Sequence, residues 1–345
     1  MRALRILVPA ALASGLLLSG CAGDPTTTDA SDAPESDGEV TLYAGRDEAL
    51  IAPLIARFTD ETGIAVDVRY AGTSELTALV LEEGERSPAD VFLSQDAGAL
   101  GALADAGLTT PIPAELAETI PDGFTSQDDS WIGVTGRARV IAYDGDVLDA
   151  AQVPTSVLEL VEPEWAGRVG FPPGNASFQS FVTALRVLEG EQPAEDWAAG
   201  MAANDPVLTE SNGATLDLVN AGELDLALIN HYYWYQRAAE LGEDAMRAQL
   251  AFLPGDPGGI VNVTGAAILT AGVDDPDALA LVEYLVSPAA QQYFVEETFE
   301  YPLLPGVDAP AGLPALETLV NPGLDLSDLD SVAETQEMLV RVGLL

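Results

Sequence analysis

Short apolar runs alternate with longer stretches of helical period along most of the chain, and that alternation restricts the fold to the α/β class. Residues 40–43, 64–69 and 90–93 read as strands, separated by helical patterns at 48–62 and 74–83. A further helix over 97–106 stops at Gly107, a natural C-cap. The second half repeats the theme with strands at 139–143, 169–171, 224–229 and 265–269. Its helices are expected at 177–188, 214–220, 232–250, 276–286 and 289–297. This order predicts two α/β lobes with a ligand held between them, because open α/β sheets bind beyond the carboxyl ends of their strands.

The amino-terminal end indicates export. Met1-Arg2-Ala3-Leu4-Arg5 is positively charged, and the apolar stretch 6–18 is too short to span a bilayer comfortably. It closes on Leu18-Ser19-Gly20-Cys21, which resembles the lipobox of bacterial lipoproteins. That resemblance implies a signal peptide over 1–20, cleavage before Cys21 and a lipid anchor on its sulfur. Cys21 is the only cysteine, so internal disulfides play no part in the fold. Residues 21–38, rich in Asp, Thr, Ser and Pro, bury too little apolar surface to offset their chain entropy and are expected to form a flexible tether.

Lys and Arg number 13 against 56 Asp and Glu, a formal charge of −43. Such a chain does not suit nucleic acid or anionic lipid head groups. It attracts cations at long range. Solubility in a salty medium explains the same charge, so charge does not identify the ligand.

Leu228-Ile229-Asn230-His231-Tyr232-Tyr233-Trp234-Tyr235 sits where a buried strand gives way to a helix. This stretch resembles the periplasmic ferric-ion-binding proteins of bacterial iron uptake, whose adjacent tyrosines ligate Fe³⁺ at such a junction. Four further stretches match the same family in the same order. They are Leu42-Tyr43-Ala44-Gly45-Arg46-Asp47, Ala89-Asp90-Val91-Phe92, Thr135-Gly136-Arg137-Ala138-Arg139-Val140 and Glu300-Tyr301-Pro302-Leu303.

The resemblance implies a type II periplasmic-binding-protein fold with the ligand in the interlobe cleft. The amino lobe would comprise 39–137 plus 263–313, and the carboxyl lobe 138–262 plus 314–345. Tyr232 and Tyr233 are the expected metal ligands; Fe³⁺ is hard and favours anionic oxygen. Asp47 stands where the family often has a histidine, as a further ligand or as a solvated acid at a helix N-terminus. Gln95 and its neighbour Asp96 stand where some members place a glutamate, and either is a metal contact or acts from behind one. Trp234 and Tyr235 read as packing residues, and His231 as a surface residue or one behind the ligands.

A synergistic anion such as phosphate or carbonate is implied at Asn175, Ala176 and Ser177, with Asn212, Asn230 and Arg137 contributing. For Asn175, Ser177 and Asn212 helix capping is an alternative, and for Arg137 a structural ion pair. The partners implied are an ABC-transporter permease and, through Cys21, the outer face of a membrane; a monomer is expected. A same-fold binding protein for thiamine, a polyamine or a sugar phosphate is the other reading. No nucleophile elbow or phosphate-loop lysine suggests an enzyme.

Overall fold

The computed structural model describes residues 36–321 and 323–345. The expected signal peptide, Cys21 and most of the expected tether lie outside the described residues. The strands are β1 Glu39–Ala44, β2 Ala65–Tyr70, β3 Val91–Ser94, β4 Thr109–Thr110, β5 Ile132–Asp144, β6 Val169–Phe171, β7 Val207–Leu208, β8 Leu226–Asn230, β9 Ala248–Phe252, β10 Val261–Leu269 and β11 Tyr301–Pro302. The helices are α1 Glu48–Thr62, α2 Thr73–Glu83, α3 Ala97–Asp105, α4 Ala114–Ala117, α5 Ala176–Glu189, α6 Glu191–Ala203, α7 Asn212–Ala221, α8 Tyr232–Leu241, α9 Pro276–Leu285, α10 Pro288–Tyr293 and α11 Val332–Val342.

The strands form two sheets that share β5. In the first, β2, β1 and β3 run parallel, and β10 joins β3 to β5 by antiparallel pairing. In the second, β5 pairs with β8 and β9, and β8 continues in parallel to β6 and β7. Every residue of β3 and β5 is buried, as strands covered on both faces must be. Edge strand β2 instead alternates between exposed and half-buried positions.

β5 changes partners midway. Up to Ala138 it is registered with β10, and from Arg139 onward with β8. The β5–β10 register shifts between Thr264 and Gly265, a bulge beside that change. Helix α11 packs on α5 and α6, where the Arg186 guanidinium donates to Ser331 O at 2.7 Å and Thr335 Oγ1 at 2.8 Å.

Most helices match the sequence pattern to within a residue or two, but two expectations need correction. The helix expected over 232–250 ends at Leu241, because Gly242 turns out of it with φ 90°. Residues 248–252 are strand β9, claimed by the free edge of β5. The end of the expected tether is also held in place. Ser36 Oγ and the Gly38 N–H donate to Asp277 Oδ2 at 3.0 and 2.8 Å, so the anchored part begins before β1. Among the described residues no helix is long and apolar enough to cross a membrane.

Candidate metal centre

The apolar run of β8 is entirely buried and carries the chain into the interior before α8 begins. His231 already has helical angles, so Tyr232 and Tyr233 leave the strand end without an intervening loop. Tyr232 is 1% exposed, whereas Tyr233 is half-buried. Their rings stack at 4.3 Å between centroids and 27° between planes. Burial, then the neighbouring Tyr233, pushes the Tyr232 phenol well above its ordinary pKa; Arg46 and Arg137 pull the other way.

Three buried guanidiniums lie around this pair. Arg46 stands 5.7 Å from the Tyr232 ring centre and pairs with Glu300. Arg137 donates to Val263 O at 3.0 Å, and Arg139 to Leu228 O at 2.9 Å. In each of the three, Nε and Nη1 are buried without a hydrogen-bond partner among the described residues. Burial alone would lower the Arg46 pKa, but Glu300, then the two tyrosines and Asp47, raise it above its ordinary value. Burial, then Arg137, lowers Arg139 to about 9. The floor of the site is therefore cationic, with one carboxylate paired directly to it.

Above the floor is a cavity of about 680 Å³ whose wall includes Tyr233. The turn after β1 contributes Asp47 to the same wall, and the turn after β3 contributes Gln95. Asp47 occupies the N-cap position of α1 without making a side-chain cap bond, so its carboxylate is uncommitted and exposed. Asn175 and Ala176 line the cavity from the start of α5. Three further acids, Glu48, Glu75 and Glu210, complete a mouth that favours cations.

The expected anion-binding residues are partly gathered. Asn175 caps α5 and accepts from the Ser177 N–H at 3.0 Å and from Ser177 Oγ at 2.6 Å. Asn212 Nδ2 reaches both residues at 3.4 Å, while its Oδ1 is buried without a partner among the described residues. Asn212 is no helix cap, because Ser211 caps α7 by accepting from the Ala214 N–H. Asn230 ends β8 opposite Arg139 in register, and both are buried. Oδ1 of Asp96 caps α3 and accepts from Ser180 Oγ at 3.0 Å, while its Oδ2 is buried without a hydrogen-bond partner among the described residues. The main cavity's lining includes Gln95 but not Asp96.

His231 is not a surface residue; it is fully buried. Its Nε2–H donates to Phe299 O at 3.0 Å and its Nδ1 accepts from the Ala138 N–H at 3.1 Å. Burial lowers its pKa to about 4, so the ring is neutral. Sequence reasoning gave no role to Arg46, Arg139 or Glu300. Each lies inside a quoted motif, and a charged residue within an apolar stretch was the available signal. Glu48, Glu75 and Glu210 carried no local signal in so acidic a chain.

The geometry assembles hard oxygen donors over a buried cationic floor, a set suited to a highly charged hard cation. Comparison with known proteins is consistent with this. The family described as bacterial extracellular solute-binding protein matches residues 86–325. The Fe(3+)-binding periplasmic protein of Serratia marcescens is 31% identical, over 91% of this chain and 93% of its own. The iron-bound crystal structure of HitA from Pseudomonas aeruginosa superimposes with a TM-score of 0.84 at 34% identity, covering 88% of this chain and 99% of that one. A Trichodesmium protein in complex with iron and citrate superimposes with a TM-score of 0.76 at 28% identity, over 89% and 100% of the two chains.

Proposed function

The chain belongs to the family of bacterial extracellular solute-binding proteins, and we propose that it captures ferric iron in the cleft and delivers it to an ABC importer. One observation carries the reading: Tyr233, stacked on the buried Tyr232, lines the cavity that Asp47 lines from another element. Tyr232 and Tyr233 as phenolates, with the Asp47 carboxylate, neutralise three positive charges. A bound trivalent cation reverses the preference for neutral phenol that burial imposes. Gln95, on the same wall, is a weak donor and contacts the ion through water.

A synergistic anion completes the coordination, held by Asn175, Ala176, Ser177 and Asn212. The N–H groups at the start of α5 support an anion in that pocket. Arg137, Arg139 and Asn230 stand behind it, and the surplus of guanidinium charge there supports an anion.

Capture closes two lobes, 39–137 plus 263–313 and 138–262 plus 314–345, about the crossing segments 136–139 and 262–265. The switch of partners along β5 and the register shift between β5 and β10 support hinges at these points. Cys21 carries a lipid that holds the protein outside the cell beside its permease. The second reading, a small organic cation such as a polyamine, draws on the cavity's volume of about 680 Å³ and its acidic mouth.

The test uses the chain from Cys21 onward, with Cys21→Ser to keep it in solution. Fe³⁺ is added as a weak chelate while the visible spectrum is recorded. A phenolate-to-iron band that saturates at one ion per protein is expected, and varying phosphate and carbonate identifies the anion. No band at saturating iron removes the ferric reading and directs the search to polyamines.

A further inference from the structure

Glu300 and Phe299 lie outside the ligand set, yet they touch the chain immediately before each ligand-bearing turn. Phe299 follows the widened helical turn 294–298 and adopts φ 60°, a left-handed conformation uncommon for a bulky residue. Its carbonyl accepts from His231 Nε2–H, and His231 immediately precedes Tyr232. The Glu300 carboxylate takes the Arg46 guanidinium, and Arg46 immediately precedes Asp47. One pair of adjacent residues thus grips both strand-to-helix turns.

The same carboxylate reaches the crossing strands. Thr135 Oγ1, on β5, donates to Glu300 Oε2, and Thr264 Oγ1, on β10, lies 3.5 Å from that oxygen. Thr135 and Thr264 are register partners at the bulge. Glu300 is 0% exposed and the Arg46 side chain 1%. A pair so deeply buried gives weak net stabilisation, because desolvation offsets much of the attraction, but losing one partner strands a charge. Its geometry fixes relative position more than it adds stability.

We infer that Phe299 and Glu300 form a positioning clamp, which sets the Asp47 turn and the tyrosine turn at a fixed separation through Arg46 and His231. The inference rests on the ferric reading for its functional consequence, but the clamp itself exists without metal. Neither residue touches the ion; each acts through the residue that precedes a ligand. Groups that orient metal ligands from behind are typically worth about 10- to 100-fold in metal affinity.

The experiment compares the Cys21→Ser chain with its Glu300→Gln and Arg46→Lys variants, in two arms. Without iron, His231 is the only histidine of the chain, so its Nε2–H proton is followed by NMR as a single signal. The clamp requires that proton to be protected, and Glu300→Gln should speed its exchange about tenfold. With ferric chelate, Glu300→Gln should keep one iron per protein, shift the charge-transfer band and weaken binding by about 10- to 100-fold. Arg46→Lys retains the charge without the guanidinium fork and should fall between that variant and the parent. Folded variants with unchanged exchange, band and affinity overturn the clamp and leave only a buried ion pair. If the parent itself gives no band, the ferric reading fails. The exchange arm then decides alone, and an unchanged rate overturns the clamp.

Discussion

The site has two walls built by similar devices, a strand followed within a few residues by a helix, and they differ in dielectric. On the tyrosine wall, β8 delivers Tyr232 into a dry interior beside buried arginines. On the Asp47 wall, β1 delivers an exposed, uncapped carboxylate beside Glu48, with Glu75 nearby. A charge interaction is severalfold stronger in the first setting than in the second, where water and salt screen it. On the proposed ferric reading, the difference would give the walls different parts: the buried one would hold the ion, and the exposed one would attract it and close over it.

If that division is right, the largest effect should come from the dry wall. Replacing Tyr232 and Tyr233 together by Phe keeps the stacked rings but removes both phenols. Ferric affinity should then fall by more than about 100-fold, the upper end for groups that only support ligands, and the visible band should vanish. A double variant that still colours with iron would exclude the tyrosines as ligands.

Acidity should act through the same wall. Burial holds Tyr232 protonated far above neutral pH, so ligation through its oxygen must displace that proton. If both tyrosines ligate as phenolates, two protons leave per ion, affinity rises with pH, and each unit of acidification should weaken it by about 100-fold. Ferric competition titrations at several pH values measure the slope, and a slope near zero would mean that no phenol ionises.

The exposed wall should be more forgiving. Asp47→Asn is expected to cost about tenfold at low salt, and less as ionic strength rises and screening shortens the reach of the charge. An effect as large as that of the tyrosines, independent of salt, would erase the contrast between the walls. The smallest effect is a gain. Gln95→Glu places a carboxylate on the cavity wall, and a half-buried, water-screened charge of that kind is worth about 1 kcal/mol, roughly a fivefold tightening. Isothermal titration of the two proteins side by side would resolve it.

Much of this was legible in the chain itself. The strand and helix pattern placed α1, α2, α5 and β3 to within a residue or two, because local hydrophobic period decides elements of that length. The tyrosine pair stood out through the resemblance of residues 228–235 to the ferric-ion-binding proteins. The reading failed where distant segments intervened. Residues 248–252 carry a sequence compatible with either state, and the open edge of β5 made them a strand.

His231 shows the same limit more sharply. The sequence left it at the surface or behind the ligands, whereas the structure buries it between Ala138 and Phe299, residues far away in the chain. Asp96 reads as a neighbour of Gln95 with equal access to the cleft, but its carboxylate faces α3 and Ser180 instead.

By itself, then, the sequence determined the α/β alternation and the acidic character of the whole, and its resemblance to ferric-ion-binding proteins singled out Tyr232, Tyr233 and Asp47 as candidate donors. Only the tertiary structure decided that Arg46, Arg137 and Arg139 gather under the tyrosines, and that Glu300 ties the first of them to both crossing strands. Periodicity and residue chemistry are local and can be read along the chain. Burial, and with it the strength of every charge in the site, is set by segments that meet only when the chain is folded.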